Sequence, residues 1–130
     1  MKPLPTTASD EELLHVIDAW VALLEAEDYQ AAFNYTEHDL EMGWTPELIR
    51  EVIKSYGEAE PGQRVTLAGQ STDIAQRKEV LRWPPNALGE VGEIWYDLNL
   101  DGFVSDLTAR FRLCVSSEGV LVRLHDIHVM

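Results

Sequence analysis

Cysteine, positive charge and long apolar runs are all scarce in this 130-residue chain. A single cysteine, Cys114, excludes an internal disulfide and a zinc site built on cysteines. Ten Lys and Arg stand against 23 Asp and Glu, a formal net charge of −13. A chain so acidic repels phosphate backbones and anionic lipid, so neither nucleic acid nor a membrane is an expected partner. No run approaches the ~18 apolar residues of a membrane-crossing helix. The opening residues 1–12 are polar and acidic and lack a signal-peptide core, so a cytoplasmic location is expected. No repeat or low-complexity tract is present.

What remains is an ordinary globular balance, 45% hydrophobic and 25% charged, in a length that suits one domain with a real core. Residues 1–8, with Pro3 and Pro5, read as a disordered or frayed leader, and residues 9–130 as a single domain. The charge is uneven. Residues 1–62 carry 14 acidic and 3 basic side chains, residues 63–130 carry 9 and 7.

The acidic half is the helical half. Ser9 with Glu12 is a capping box, and Leu13, Ile17, Trp20, Val21 and Leu24 then follow helical spacing, which predicts a helix over 9–27. Asp28 caps a second short helix carrying Tyr29, Ala32 and Phe33. Thr45 and Pro46 start a third, over 45–56, which Gly57 ends. A loop is expected at 58–62. The period then changes to two, predicting strands over 64–69, 78–83, 91–100, 103–115 and 120–129. Helices first and an antiparallel sheet second define an α+β chain.

Asp101-Gly102 is a favoured hairpin turn. Centring it there pairs Leu100 with Phe103, Tyr96 with Leu107 and Ile94 with Ala109 on an apolar face, and Glu93 with Arg110 on the other. It also sets Asp97 against Asp106, an unfavourable pair. A second turn at Ser117-Glu118 pairs Phe111 with Leu124, Ala109 with Asp126 and Leu107 with His128. That register puts Tyr96, Asp126 and His128 on one wall. A bulge near Gly119 would instead turn His125 inward.

The helix order and the segment Trp20-Val21-Ala22-Leu23-Leu24-Glu25-Ala26-Glu27-Asp28-Tyr29-Gln30-Ala31-Ala32-Phe33 resemble the nuclear transport factor 2-like superfamily, which includes ketosteroid isomerase, scytalone dehydratase and polyketide cyclases. The ending Asp126-Ile127-His128-Val129-Met130, with Trp95-Tyr96-Asp97 and Ser105-Asp106-Leu107-Thr108, is similar to a group of uncharacterised bacterial proteins. The resemblance implies a cystatin-like cone, with helices packed on a curved antiparallel sheet around a pocket, and homodimers through the sheet. It does not imply catalysis.

On that frame Trp20, Tyr29, Phe33, Ile94, Ala109, Phe111 and Leu124 are expected to line a pocket for a small apolar ligand. Tyr96, Asp126 and His128 are the candidate catalytic residues. A half-buried carboxylate and an imidazole move protons, and a tyrosine polarises a carbonyl. Trp95, beside Arg110, Arg112 and Cys114 on the other face, suits a dimer interface. Asp97-x-Asn99-x-Asp101-Gly102 opens like a calcium loop, but Thr108 stands where the bidentate glutamate belongs, so a plain hairpin is expected. The four histidines are too scattered for a metal motif, and neither metal nor cofactor is expected.

Three functions are compatible with these features. The first is a non-enzymatic domain that binds a small molecule or a protein. The second is a cofactor-independent isomerase or dehydratase using Asp126, His128 and Tyr96. The third is an immunity-type protein whose acidic helices neutralise a basic toxin.

Overall fold

The computed structural model describes residues 2–57 and 62–129. The loop expected at 58–62 therefore lies, apart from Gly62, outside the described residues. Three helices pack on one face of a strongly curled sheet, an α+β arrangement compatible with a cone-like fold.

Each helix begins at the cap its sequence announces. In α1 (Asp10–Glu25) the Ser9 hydroxyl accepts the Glu12 N–H at 3.1 Å, and the Glu12 carboxylate accepts the Ser9 N–H at 3.2 Å. Its end was less legible. The N–H of Asp28 reaches the carbonyl of Leu23 and that of Glu27 the carbonyl of Leu24, a Schellman closure with Glu27 in the left-handed region at φ 57°. A non-glycine residue there costs about 1 kcal/mol, and the Lys54 ammonium, 3.0 Å from the Glu27 carboxylate, helps to hold it. Helix α2 (Tyr29–Tyr35) is capped by Asp28, and α3 (Pro46–Lys54) by Thr45.

Between α2 and α3 lie a two-residue strand, β1 (Glu37–His38), and a 3-10 turn at Leu40–Met42, neither foreseen. The remaining strands are β2 (Val65–Thr66), β3 (Lys78–Arg82), β4 (Glu90–Leu100), β5 (Phe103–Ser116) and β6 (Gly119–Val129). The order is β1-β6-β5-β4-β2, with β3 also on β4. Because β1 runs parallel to β6, the sheet is mixed and not purely antiparallel as expected.

Both expected hairpins form, but each slips along its length. At the first turn Asp101 and Gly102 take φ 50° and 85°, and Leu100 pairs with Phe103. Beyond Asn99 the partners shift by two: Asp97 faces Thr108, Tyr96 faces Ala109 and Ile94 faces Phe111. A shift of two leaves every side chain on its own face. It also removes the Asp97–Asp106 clash. Asp97 accepts from the Thr108 hydroxyl at 2.7 Å and the Arg77 N–H at 2.9 Å, while Asp106 accepts from the Tyr56 hydroxyl.

The second slip has the opposite consequence. Phe111 pairs with Leu124 as expected, but Arg110 pairs with Asp126, leaving His125 as the extra residue of a bulge. The rest of β6 is turned over. Ile127, not Asp126, meets Ala109, and Thr108, not Leu107, meets His128. The expected pairs of Ala109 with Asp126 and of Leu107 with His128 do not form, and the bulge sits at His125, not near Gly119.

Residues 2–8 do not behave as a frayed leader. Leu4 exchanges both backbone hydrogen bonds with Val120, at 2.9 and 2.8 Å, and Ala8 is buried. Gly119 makes this crossing possible. Its φ is 143°, and a Cβ there would stand 2.1 Å from the Leu4 carbonyl oxygen.

Candidate functional site

The residues expected to line an internal pocket are packed as core. Trp20, Ile94, Ala109, Phe111 and Leu124 are 0% exposed. The Trp20 ring meets Phe111 edge-on, with centroids 5.0 Å apart. Phe33 is half-buried and stacks on His38 at 4.0 Å. Tyr29 is buried at the end of the same cluster. Two polar atoms in this core, Trp20 Nε1 and the Tyr29 hydroxyl, have no hydrogen-bond partner among the described residues.

The three candidate catalytic residues do not meet. Tyr96 points to the helices, where its hydroxyl donates to the Asp18 carboxylate at 2.6 Å, with the Lys78 ammonium 3.3 Å from the same oxygen. Burial first, and this carboxylate second, push the Tyr96 phenol far above its ordinary range. It is therefore a neutral donor already engaged. Asp126 and His128 stand on the opposite face, carried there by the bulge.

On that outer face Asp126 is engaged by two neighbours through three contacts. Arg110 grips it through two bonds, Nε at 2.9 Å and Nη2 at 2.6 Å, and His128 Nδ1 lies 2.8 Å away. Burial pushes the Asp126 carboxyl up, but the bonds with Arg110 and His128 outweigh it, and the group is held below the usual carboxylate range. His125 continues the chain, with Nδ1 2.9 Å from Asp39 and Nε2 3.8 Å from Asp126. Two guanidinium groups lie over the Trp95 ring, Arg77 at 4.6 Å and Arg110 at 5.1 Å from its centroid. The Arg110–Asp126 pair at the centre of this layer is held ionised and fixed. An Asp126 already saturated by a bidentate arginine is poorly placed as a general base.

Next to this layer opens a cleft of about 500 Å³. Asp39, Leu40 and Glu41 of one segment line it together with Leu88, Glu90, Arg112, Arg123 and His125. The segment 39–44 is fixed to β6 by the Asp39 N–H on the Leu124 carbonyl and by Trp44 Nε1 on the His125 carbonyl, both at 2.9 Å. Glu90 lies beneath both arginines. It accepts from Asn86 Nδ2 at 2.9 Å and from Arg123, and Arg112 Nη1 is 3.8 Å away. The Asn86 bond, with both guanidinium groups, holds the Glu90 carboxyl below its ordinary range despite burial. Sequence reasoning missed this cleft. Leu40 and Leu88, 95% and 77% exposed, are its only apolar walls, and neither belongs to a periodic run. Among the described residues no group of three His, Cys, Asp or Glu could hold a metal ion, and no helix is long and apolar enough to cross a membrane.

Fold and site together describe an α+β domain with a filled interior and a charged cleft on its outer sheet face. Residues 21–130 match the family described as a domain of unknown function, DUF7668, and the chain belongs to that family. No curated protein matches the chain, and no solved structure does.

Proposed function

We propose that this chain is a non-catalytic binding domain whose ligand or partner sits in the outer cleft between the 39–41 segment and β4–β6. The observation that carries this reading is the division of labour between the two faces. The inner face is packed with core side chains, whereas the outer cleft gathers charged groups beside exposed Leu40 and Leu88. Its volume falls in the range of small-molecule sites, roughly 300–1,000 Å³. The order of helices before a curled sheet supports membership of the nuclear transport factor 2-like cone, with the site moved from the interior to the outside.

The test is a fragment library titrated into ¹⁵N-labelled full-length protein. Shifts concentrated on the amides of Asp39, Glu90, Arg112, Arg123 and His125 are expected. Shifts concentrated on Trp20, Tyr29, Ile94 and Phe111 would instead restore an internal pocket.

The immunity-type reading retains one supporting feature. The arginines of the outer face are matched by carboxylates of the same face, so the surplus negative charge falls on the helices, as at Glu11, Glu47 and Glu51. A basic partner held there would dissociate steeply as salt rises.

A further inference from the structure

The donors and acceptors of the cleft do not balance. Arg112 and Arg123 are direct cross-strand partners on β5 and β6. Like charges in that position destabilise a sheet unless something negative sits between them. Glu90 does so from below, and it is shared. It is only 8% exposed and already satisfied by Asn86 and the two guanidinium groups. Asp39 is likewise engaged, by His125 and by the N–H of Glu41. Of the three carboxylates that line the cleft, Asp39 and Glu90 are thus engaged, and Glu41, an exposed side chain, is the one left without a side-chain partner among the described residues.

The arginines have capacity to spare. A guanidinium carries five N–H donors. Arg123 is held to Glu90 through Nη2, and its Nε is buried with no partner among the described residues. Arg112 Nε lies 3.4 Å from Glu93 but makes no hydrogen bond, and it too is buried. Arg123 is held by Glu90 and Arg112 lies near both Glu90 and Glu93, yet each keeps about a quarter of its side chain exposed, 23% for Arg112 and 27% for Arg123. Leu40 and Leu88 line the same cleft.

The geometry points to an organic oxyanion as the ligand of this cleft: a carboxylate or phosphate head received by Arg112 and Arg123, on a small apolar body lying against Leu40 and Leu88. This rests on the cleft being the binding site, as proposed above. The head supplies acceptors for the guanidinium donors that Glu90 and Glu93 leave unused, and Glu90 holds the two forks in place. Glu90 also competes with the ligand for the same donors.

Three probes of one shape and different charge test this on the full-length protein: phenylacetate, phenyl phosphate and 2-phenylethylammonium. Affinity is read from amide shifts of the cleft residues. One or both anions are expected to bind and the cation to leave the cleft unperturbed; the tighter anion tells carboxylate from phosphate. Arg123→Gln should weaken the anion at least tenfold. Glu90→Gln, which removes the competitor, should tighten it several-fold. Leu40→Asp changes a side chain too exposed to affect folding and should weaken it several-fold by repulsion. Tighter binding of the cation, or loss of anion binding in Glu90→Gln with Arg123→Gln unaffected, overturns the oxyanion assignment. So does a cleft that accepts neutral library fragments and neither anion, which would leave the binding-domain reading standing. A cleft that accepts neither probes nor fragments removes both.

Discussion

Strands β4, β5 and β6 show two different chemistries on their two faces. Toward the helices, Ile94, Ala109, Phe111 and Leu124 form a packed apolar layer. On the outside, Trp95, Arg110, Arg112, Arg123 and Asp126 form a layer held by ion pairs and cation–π contacts. The inner layer derives its stability from burial and has few titratable groups. The outer layer derives its order from charge, and the carboxyls of Glu90 and Asp126 are held below their ordinary range by the hydrogen bonds and cations beside them. Aromatic and apolar residues marked the inner face as a possible pocket, yet the polar groups that converge are outside. Pocket-like composition and pocket-like geometry thus fall on opposite sides of one sheet.

The sharpest way to separate the faces is to damage each alone. Trp20→Ala removes the largest fully buried side chain of the inner layer and should destabilise the protein by about 4 kcal/mol, seen as a lower urea midpoint. An unchanged midpoint would mean that the interior is not the packed layer described. Asp126→Asn acts on the outer layer, leaving Arg110 without its bidentate anion. The pair is mostly but not fully buried, so a loss of about 2 kcal/mol is expected, between the surface and buried limits.

The smallest effect concerns acid. The carboxyls of Asp39, Glu90 and Asp126 lie lower in the folded protein than in an open chain. On acidification the unfolded chain therefore binds protons first. The stability they contribute is complete above the ordinary carboxylate range, from about pH 5 upward, and is lost as pH falls through the folded values. Chemical denaturation between pH 3 and 7 should show this decline, and Asp126→Asn should flatten it. A decline equally steep in the variant would place the acid-sensitive groups elsewhere.

Much of the fold was legible because local chemistry announced it. Ser9, Asp28 and Thr45 each precede a helix and each caps it in the structure. Asp101-Gly102 adopts the backbone that its residues favour. What was not legible depends on contacts far apart in the chain. The Glu37–His38 strand is two polar residues whose only reason to extend is the edge of β6. Leu4 is held by Val120, over a hundred residues away. The bulge at His125 has no local signature, since neither glycine nor proline marks it. Its consequence for the site was large, because it carried Asp126 and His128 away from Tyr96. Leu40 and Leu88 are isolated leucines in polar surroundings, and only the fold brings them to one cleft.

Two of the three irregularities of the sheet also set a rule for changes in chain length. Near Asp97 and Asn99 the offset is two residues, so a further insertion or deletion of two there preserves which side chains face the core. At His125 the offset is one. Deleting that single residue would rotate the last four positions of β6 by half a turn, sending Asp126 and His128 into the apolar layer and Ile127 into solvent. In this strand a lost residue is therefore far more damaging than a substituted one, and the parity of the indel, more than its size, decides whether the domain survives it.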